Sequence, residues 1–134
     1  MSSSPDPACV LDADCPSRHF LARLADKWSV LVIYALEGGP QRNGELRRMI
    51  GGISQKMLTQ TLRNLERDGL VARKVHAMVP PRVDYALTPL GRSLGRPLAV
   101  FCEWAERHLP QMMAARRRYA PRKPPPERVA IEGR

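Results

Sequence analysis

From Ser54 to Asp68 the chain reads SQKMLTQTLRNLERD, with apolar residues recurring every three or four positions. At about 100° per residue, Met57, Leu58, Thr61, Leu62 and Leu65 fall within an arc of roughly 140°. Lys56, Thr59, Gln60, Arg63 and Arg67 lie opposite, centred near ~190° on the same wheel. The spacing predicts an amphipathic helix, capped by Ser54 and stopped by Gly69. Just before it, NGELRRMIGG predicts a short helix with Leu46, Met49 and Ile50 inward, closed by the glycine pair. Further upstream, Pro16 opens SRHFLARLADK, a short helix with Phe20, Leu21 and Leu24 on one side. Lys27-Trp28-Ser29 leads into VLVIYALEGG, which is apolar nearly all round and predicts a helix central to the core, ended by Gly38-Gly39-Pro40.

Downstream of Gly69 the hydrophobic period shortens from 3.6 to 2. VARKVH and VDYAL alternate in strand fashion around AMVPPR, which predicts a hairpin with an extended tip. Thr88-Pro89 is a helix start, a capping residue followed by proline in the first turn. From there Leu90, Leu94, Leu98, Phe101, Trp104 and Leu109 keep helical spacing, and Pro97 predicts a kink. The order of four helices, two strands and a long helix predicts a mainly α fold with a small β-hairpin, in the α+β class. No βαβ unit and no phosphate-binding glycine loop accompany it.

The chain of 134 residues suits one domain, with boundaries expected at 15–115. Residues 1–14 are polar and Pro-bearing and read as a flexible N-terminal arm. Residues 116–134 are basic and Pro-rich and read as a disordered tail. The closing IEGR equals a common engineered protease site, which points to an appended end.

Charge narrows the class of partner. The formal net charge is +9, from 22 Lys plus Arg against 13 acids. A balance of this sign favours polyanions, nucleic acid before an anionic membrane. Two zones carry the excess: residues 28–87 hold nine bases against five acids, and residues 116–134 hold seven against two. The longest apolar run, VLVIYAL, is far short of the ~20 residues a spanning helix needs. The N-terminus lacks the basic and apolar regions of a secretory signal. Three cysteines without a CxxC pair describe neither a disulfide scaffold nor a zinc site, so a reducing cytoplasm is expected.

The wet face of the Ser54–Asp68 helix offers amide, hydroxyl and cationic groups together. Arg and Lys pair with guanine, Gln with adenine, and hydroxyls with either, so Ser54, Gln55, Lys56, Thr59, Gln60 and Arg63 are candidates for base and phosphate contact. The helix N-terminus adds free amides suited to a phosphate. Many solvated helix faces carry the same residue types with no partner. The neighbourhood favours the sharper reading: a short helix precedes across a tight glycine turn, as in a helix-turn-helix, and a basic hairpin follows. Lys74, His76 and Arg82 lie along that hairpin, where a wing reaches a flanking minor groove.

The combination of Cys15-Pro16, Lys27-Trp28, GELRRMIGGISQKMLTQTLRNLERDGLVARK, VPPRVDYALTPLGRSL and Trp104 resembles the HxlR-type family of winged helix-turn-helix transcriptional regulators. The likeness covers roughly residues 15–106. It implies a bacterial homodimer on a pseudo-palindromic operator, with N- and C-terminal dimerisation helices. It implies the helix from Ser54 as recognition helix, with Ser54, Lys56, Thr59, Gln60 and Arg63 facing the major groove and Arg82 in the wing. One departure stands out. The family usually has Phe after the Arg at position 42, and here Asn43 removes an apolar anchor from the start of the first motif helix. The stripe Leu90, Leu94, Leu98, Phe101 and Trp104 is more apolar than a lone terminal helix needs. With Phe20, Leu21 and Leu24 it forms the expected dimer interface.

In several branches of the family the cysteine at the position of Cys15 senses oxidants or electrophiles. Its place at a helix start suits a lowered thiol pKa; a structural or merely exposed cysteine is the plainer alternative. Cys9 is a candidate resolving thiol, and Cys102 reads as core. Cys15 and His19 stand four apart, yet no further ligand joins them, so neither metal nor cofactor is expected. Double-stranded DNA, a second copy and a small-molecule or oxidant effector are the expected partners. An enzyme would need a base beside its nucleophile, and His19, His76 and His108 are scattered. A winged-helix protein-interaction module would favour apolar anchors over Lys and Gln. A single-strand RNA binder would need more stacking aromatics. Arg116-Arg117-Arg118 reads as a nonspecific contact or a solvated end.

Overall fold

Pro16 stands at the first turn of the first helix in the computed structural model, which describes residues 9–119. Proline is favoured there because its fixed φ suits the helix and its missing N–H would have had no partner. That helix is α1, Pro16–Leu24, and a 3-10 turn at Cys9–Leu11 precedes it. The rest runs α2 (Lys27–Leu36), β1 (Gln41–Arg42), α3 (Asn43–Met49), α4 (Gln55–Arg67), β2 (Val71–His76), β3 (Arg82–Leu87) and α5 (Pro89–Arg118). Among the described residues no helix is long and apolar enough to cross a membrane.

α2 begins one turn earlier than its apolar run, because Asp26 caps it. The Asp26 carboxylate accepts from the backbone N–H of Trp28 at 2.8 Å and of Ser29 at 3.2 Å. It also accepts from the Ser29 hydroxyl at 2.7 Å, which satisfies a side chain that is otherwise buried. The core gathers Val32 and Ile33 of α2, Leu46 of α3, Leu58, Leu62 and Leu65 of α4, and Val71 of β2, each almost fully buried. Two expected core positions stand outside it. Met49 is 52% exposed and Met57 39% exposed, since each falls at the margin of its helix's apolar arc, whereas Ile50 and Ile53 are buried.

The sheet has three antiparallel strands in the order β1-β3-β2. The hairpin is present, its second strand beginning at Arg82, one residue before the expected Val83, and β1 extends it by pairing Gln41 with Tyr85 and Arg42 with Asp84. Two residues are too few to display a period of 2, so β1 carries no pattern of its own. The loss of an aromatic at Asn43 is met locally: the Arg42 backbone N–H donates to the Glu45 carboxylate at 2.7 Å, securing the start of α3.

α5 starts where Thr88 accepts from the Gly91 N–H at 3.0 Å, and continues unbroken through Pro97 to Arg118, past the boundary expected at 115. Residues 120–134, with the expected basic tail and IEGR, lie outside the described residues, as do residues 1–8 of the expected arm. The helix lies on the core by its small residues: Gly91, Gly95 and Ala99 are buried. A Cβ at Gly91 would collide with the Leu70 carbonyl. This close approach sets the helix's rotation, so Leu94 and Leu98 pack against the chain's own core while Leu90 faces outward. The chain divides into two compact units after Cys102. The second holds the distal part of α5, where Trp104, Leu109, Met112 and Met113 are exposed apolar residues.

Gly91→Ala is expected to destabilise the fold by about 1–3 kcal/mol, because the added methyl would run into the Leu70 backbone carbonyl, which cannot turn aside as a side chain can. Gly38→Ala, with open space at its Cβ, should stay within about 0.5 kcal/mol of the parent. Urea midpoints of the two variants check both.

Candidate nucleic-acid interface

α3 and α4 form a helix-turn-helix through Gly51-Gly52, where Gly52 takes φ of 85°, a left-handed conformation costly for other residues. Ser54 follows in extended conformation, and its hydroxyl accepts from the Met57 N–H at 3.0 Å. Its side chain therefore caps α4. Gln55, Lys56, Gln60 and Arg63 are exposed. Thr59 is half-buried, and its hydroxyl accepts from the Gln55 amide at 3.0 Å. One turn on, the Gln60 amide donates to Asn64 at 3.1 Å, and Arg67 donates to the same oxygen at 3.4 Å. These bonds between residues three or four apart hold the polar side chains along the helix. The bonds from Gln55 and Gln60 each use one N–H of the amide and leave its carbonyl oxygen as an acceptor.

The hairpin splits its charged residues between two faces. Lys74 is opposite Asp84 and His76 is opposite Arg82, so all four share one face. Asp84 is the centre of that group. It accepts from His76 Nε2 at 2.8 Å on one oxygen and from Arg82 Nε at 3.1 Å on the other. The hydrogen bond from His76, aided by Arg82, holds the Asp84 carboxyl below its ordinary range against the opposing effect of burial. Lys74 and Arg82 are exposed, and His76 is half-buried.

Arg73 lies on the other face, opposite Tyr85, and a cleft of about 240 Å³ opens there between α4 and the sheet. Thr59, Leu62, Arg63, Glu66, Arg73 and Tyr85 line it, with Arg73 Nε 3.9 Å from Glu66. Sequence reasoning chose Lys74 and passed over Arg73, although strand alternation alone separates the two and turns Arg73 toward α4. It also missed Asp84, an acid inside a basic hairpin.

The expected dimer residues divide. Phe20, Leu21, Phe101 and Trp104 are exposed. Leu24, Leu94 and Leu98 are partly buried against the chain's own core. Trp104 stacks on His108 with ring centroids 4.5 Å apart. Cys102 is half-buried rather than core. Cys15 occupies the N-cap of α1, is 3% exposed and is disulfide-bonded. At the other end of α1, Arg23 pairs with Asp68 at 3.1 Å, tying that helix to the C-cap of α4.

A family model of HxlR-like helix-turn-helix proteins matches residues 23–113. The HTH-type transcriptional regulator YtfH of Escherichia coli (strain K12) is 45% identical over 102 residues, spanning 76% of this chain and 81% of the relative. The solved structure of YtfH from Salmonella typhimurium superposes with a TM-score of 0.74 at 43% identity, covering 80% of this chain and 96% of that one. The redox regulator HypR in its oxidised form superposes with a TM-score of 0.64 at 41% identity, covering 69% of this chain and 95% of that one.

Proposed function

The chain belongs to the HxlR-like helix-turn-helix family of transcriptional regulators, and from that premise we propose that two copies grip a pseudo-palindromic operator, with α4 of each in a major groove. The observation that carries this reading is the division of α4. Leu58, Leu62 and Leu65 are buried, and the opposite face leaves Lys56, Gln60 and Arg63 to solvent on a rigidly seated helix. Lys56 and Arg63 supply cationic donors for guanine or phosphate, and Gln60 supplies an amide for adenine. The α4 N-terminus, with Gln55 and the capping Ser54, takes a backbone phosphate. Thr59, half-buried, orients Gln55. Lys74, His76 and Arg82 meet the flanking backbone and minor groove from the wing. The protein does this work in the cytoplasm, at the nucleoid.

One recognition helix reads only a few base pairs, so a second half-site one helical turn away is supplied by two-fold symmetry. Phe20 and Leu21 on α1, and Phe101 and Trp104 on α5, are large apolar side chains exposed on a single chain, and they form the dimer contact. Leu24, Leu94 and Leu98 support it from beneath.

Cys15 makes the regulator sensitive to oxidants. HypR, a similar protein, is a redox regulator. The disulfide state of Cys15 supports the same chemistry here. Two thiols, Cys15 and a resolving cysteine for which Cys9 is the candidate, lose two protons and two electrons to an oxidant such as diamide or a quinone, and a sulfur–sulfur bond forms. A dithiol reductant reverses the step. Cys15 starts α1, and α1 is joined to the end of α4 through Arg23 and Asp68, so strain at the thiol has a route to the recognition helix.

Gln60→Ala and Arg63→Ala should each cost about 1–3 kcal/mol on the preferred duplex and relax sequence choice at the bases they meet, whereas Arg82→Ala should weaken all duplexes evenly and flatten the salt slope. Fluorescence anisotropy on a duplex pool, at rising salt, separates the two patterns. The parent protein should lose a factor of about 10³ or more between 50 and 200 mM salt if six phosphates are met. A stable monomer by light scattering at micromolar concentration would count against the two-copy arrangement. Cys15→Ser should keep the DNA affinity of the reduced protein and lose its response to diamide; a variant that still releases DNA under diamide rules out Cys15 as the sensor.

A further inference from the structure

An acid on a surface that meets phosphate repels its own ligand, so Asp84 needs a reason to stand amid Arg82, His76, Lys74 and, across the sheet, Arg42. We infer that Asp84 is a positioning residue for DNA recognition, its carboxylate holding the Arg82 guanidinium in the orientation that presents it to a duplex. The inference rests on the reading of the hairpin as a DNA-binding wing.

The geometry divides the labour between the two carboxylate oxygens. Oδ2 accepts from His76 Nε2 at 2.8 Å, which requires that this nitrogen carry the proton, since an ionised carboxylate only accepts. Oδ1 accepts from Arg82 Nε at 3.1 Å. Using Nε rather than a terminal nitrogen is the telling feature. It fixes the guanidinium plane and leaves both terminal amino groups for a phosphate or base-edge acceptor. Exposure follows the same order: the Asp84 side chain is 16% accessible and that of Arg82 is 47%. The anion sits low and the cation stands out.

Arg82 is the first residue of β3, directly after the hairpin tip, where an untethered arginine would sample many rotamers and lose that freedom on binding. The tether removes part of that loss in advance. His76, cross-strand partner of Arg82, holds the second oxygen, so the carboxylate cannot swing away with the guanidinium. The lowered pKa of Asp84 keeps it ionised through neutral pH.

The two effects of the carboxylate have opposite signs, which makes the test sharp. Asp84→Asn, Asp84→Glu, Arg82→Ala and the double variant Arg82→Ala/Asp84→Asn are titrated against a fluorescein-labelled duplex enriched by the parent protein from a randomised pool, with thermal melts alongside. Asp84→Asn is expected to weaken binding about fivefold although it adds a net positive charge, as direct neighbours couple by this order. Asp84→Glu should recover most of the loss. In the Arg82→Ala background Asp84→Asn should no longer weaken binding and should tighten it, because only the repulsion is then removed. Unchanged or tighter binding by the single Asp84→Asn variant overturns the proposal. So does an equal loss in both backgrounds, which marks a merely structural effect. Parent-like binding by Arg82→Ala instead removes the wing reading on which the proposal stands.

Discussion

The burial of Leu58, Leu62 and Leu65 against Val32 and Ile33 fixes the rotation of α4 about its own axis, and the outward chemistry depends on that rotation. Each buried leucine contributes about 1.5–3 kcal/mol relative to exposure. Turning the helix by one residue, about 100°, would lift this row into water and press Arg63 or Gln60 into the core without partners, at a cost of several kcal/mol. The helix therefore has one stable setting, and its polar row has one direction. α2 makes this possible because it is apolar nearly all round and can receive α3, α4 and the sheet together. The Asp26 cap, by starting α2 a turn early, keeps buried Ser29 satisfied inside that hub.

The wing obeys a different rule. Its side chains are sorted by the pleat, which sends Lys74, His76, Arg82 and Asp84 to one face and Arg73 to the other. Charge alone would suggest one basic strip. The sheet instead makes two settings. One is an exposed cluster organised by a central carboxylate. The other is a cleft in which Arg63 and Arg73 share a wall with Glu66 and Tyr85. α4 and the hairpin are thus joined by a polar seam as well as by the core.

α5 and α1 show how packing can reassign a stripe. An apolar count over α5 favours its leucines, whereas its buried positions are Gly91, Gly95 and Ala99, and at Gly91 the backbone approaches within reach of Leu70. Leu94 and Leu98 flank that line and are drawn inward with it; Phe101 is left outside. α1 buries none of its own residues on the single chain, and its tie to the rest includes the Arg23–Asp68 pair at the end of α4. A surface ion pair of this kind adds little stability. Its importance is positional, because it joins the helix that begins at Cys15 to the helix that carries Gln60 and Arg63.

The sequence by itself determined the order of the α-helices and the hairpin, the bounds of α4, the helix-turn-helix and the family. Those features are local: a 3.6 or 2 period, a serine cap, a glycine turn and a proline at a first turn are written in neighbouring residues. Several others were decided by the tertiary structure. β1 exists because Tyr85 and Asp84 offer it a partner, not because two residues declare a strand. Met49 and Met57 stand outside the core, whereas Ile50 and Ile53 are buried in it. The glycine seat of α5, the Arg23–Asp68 tie, the Asp84 cluster and the cleft at Arg73 join residues up to 45 positions apart. Hydrophobic patterning records which side of an element is buried, and it is silent about which distant side chain meets it there.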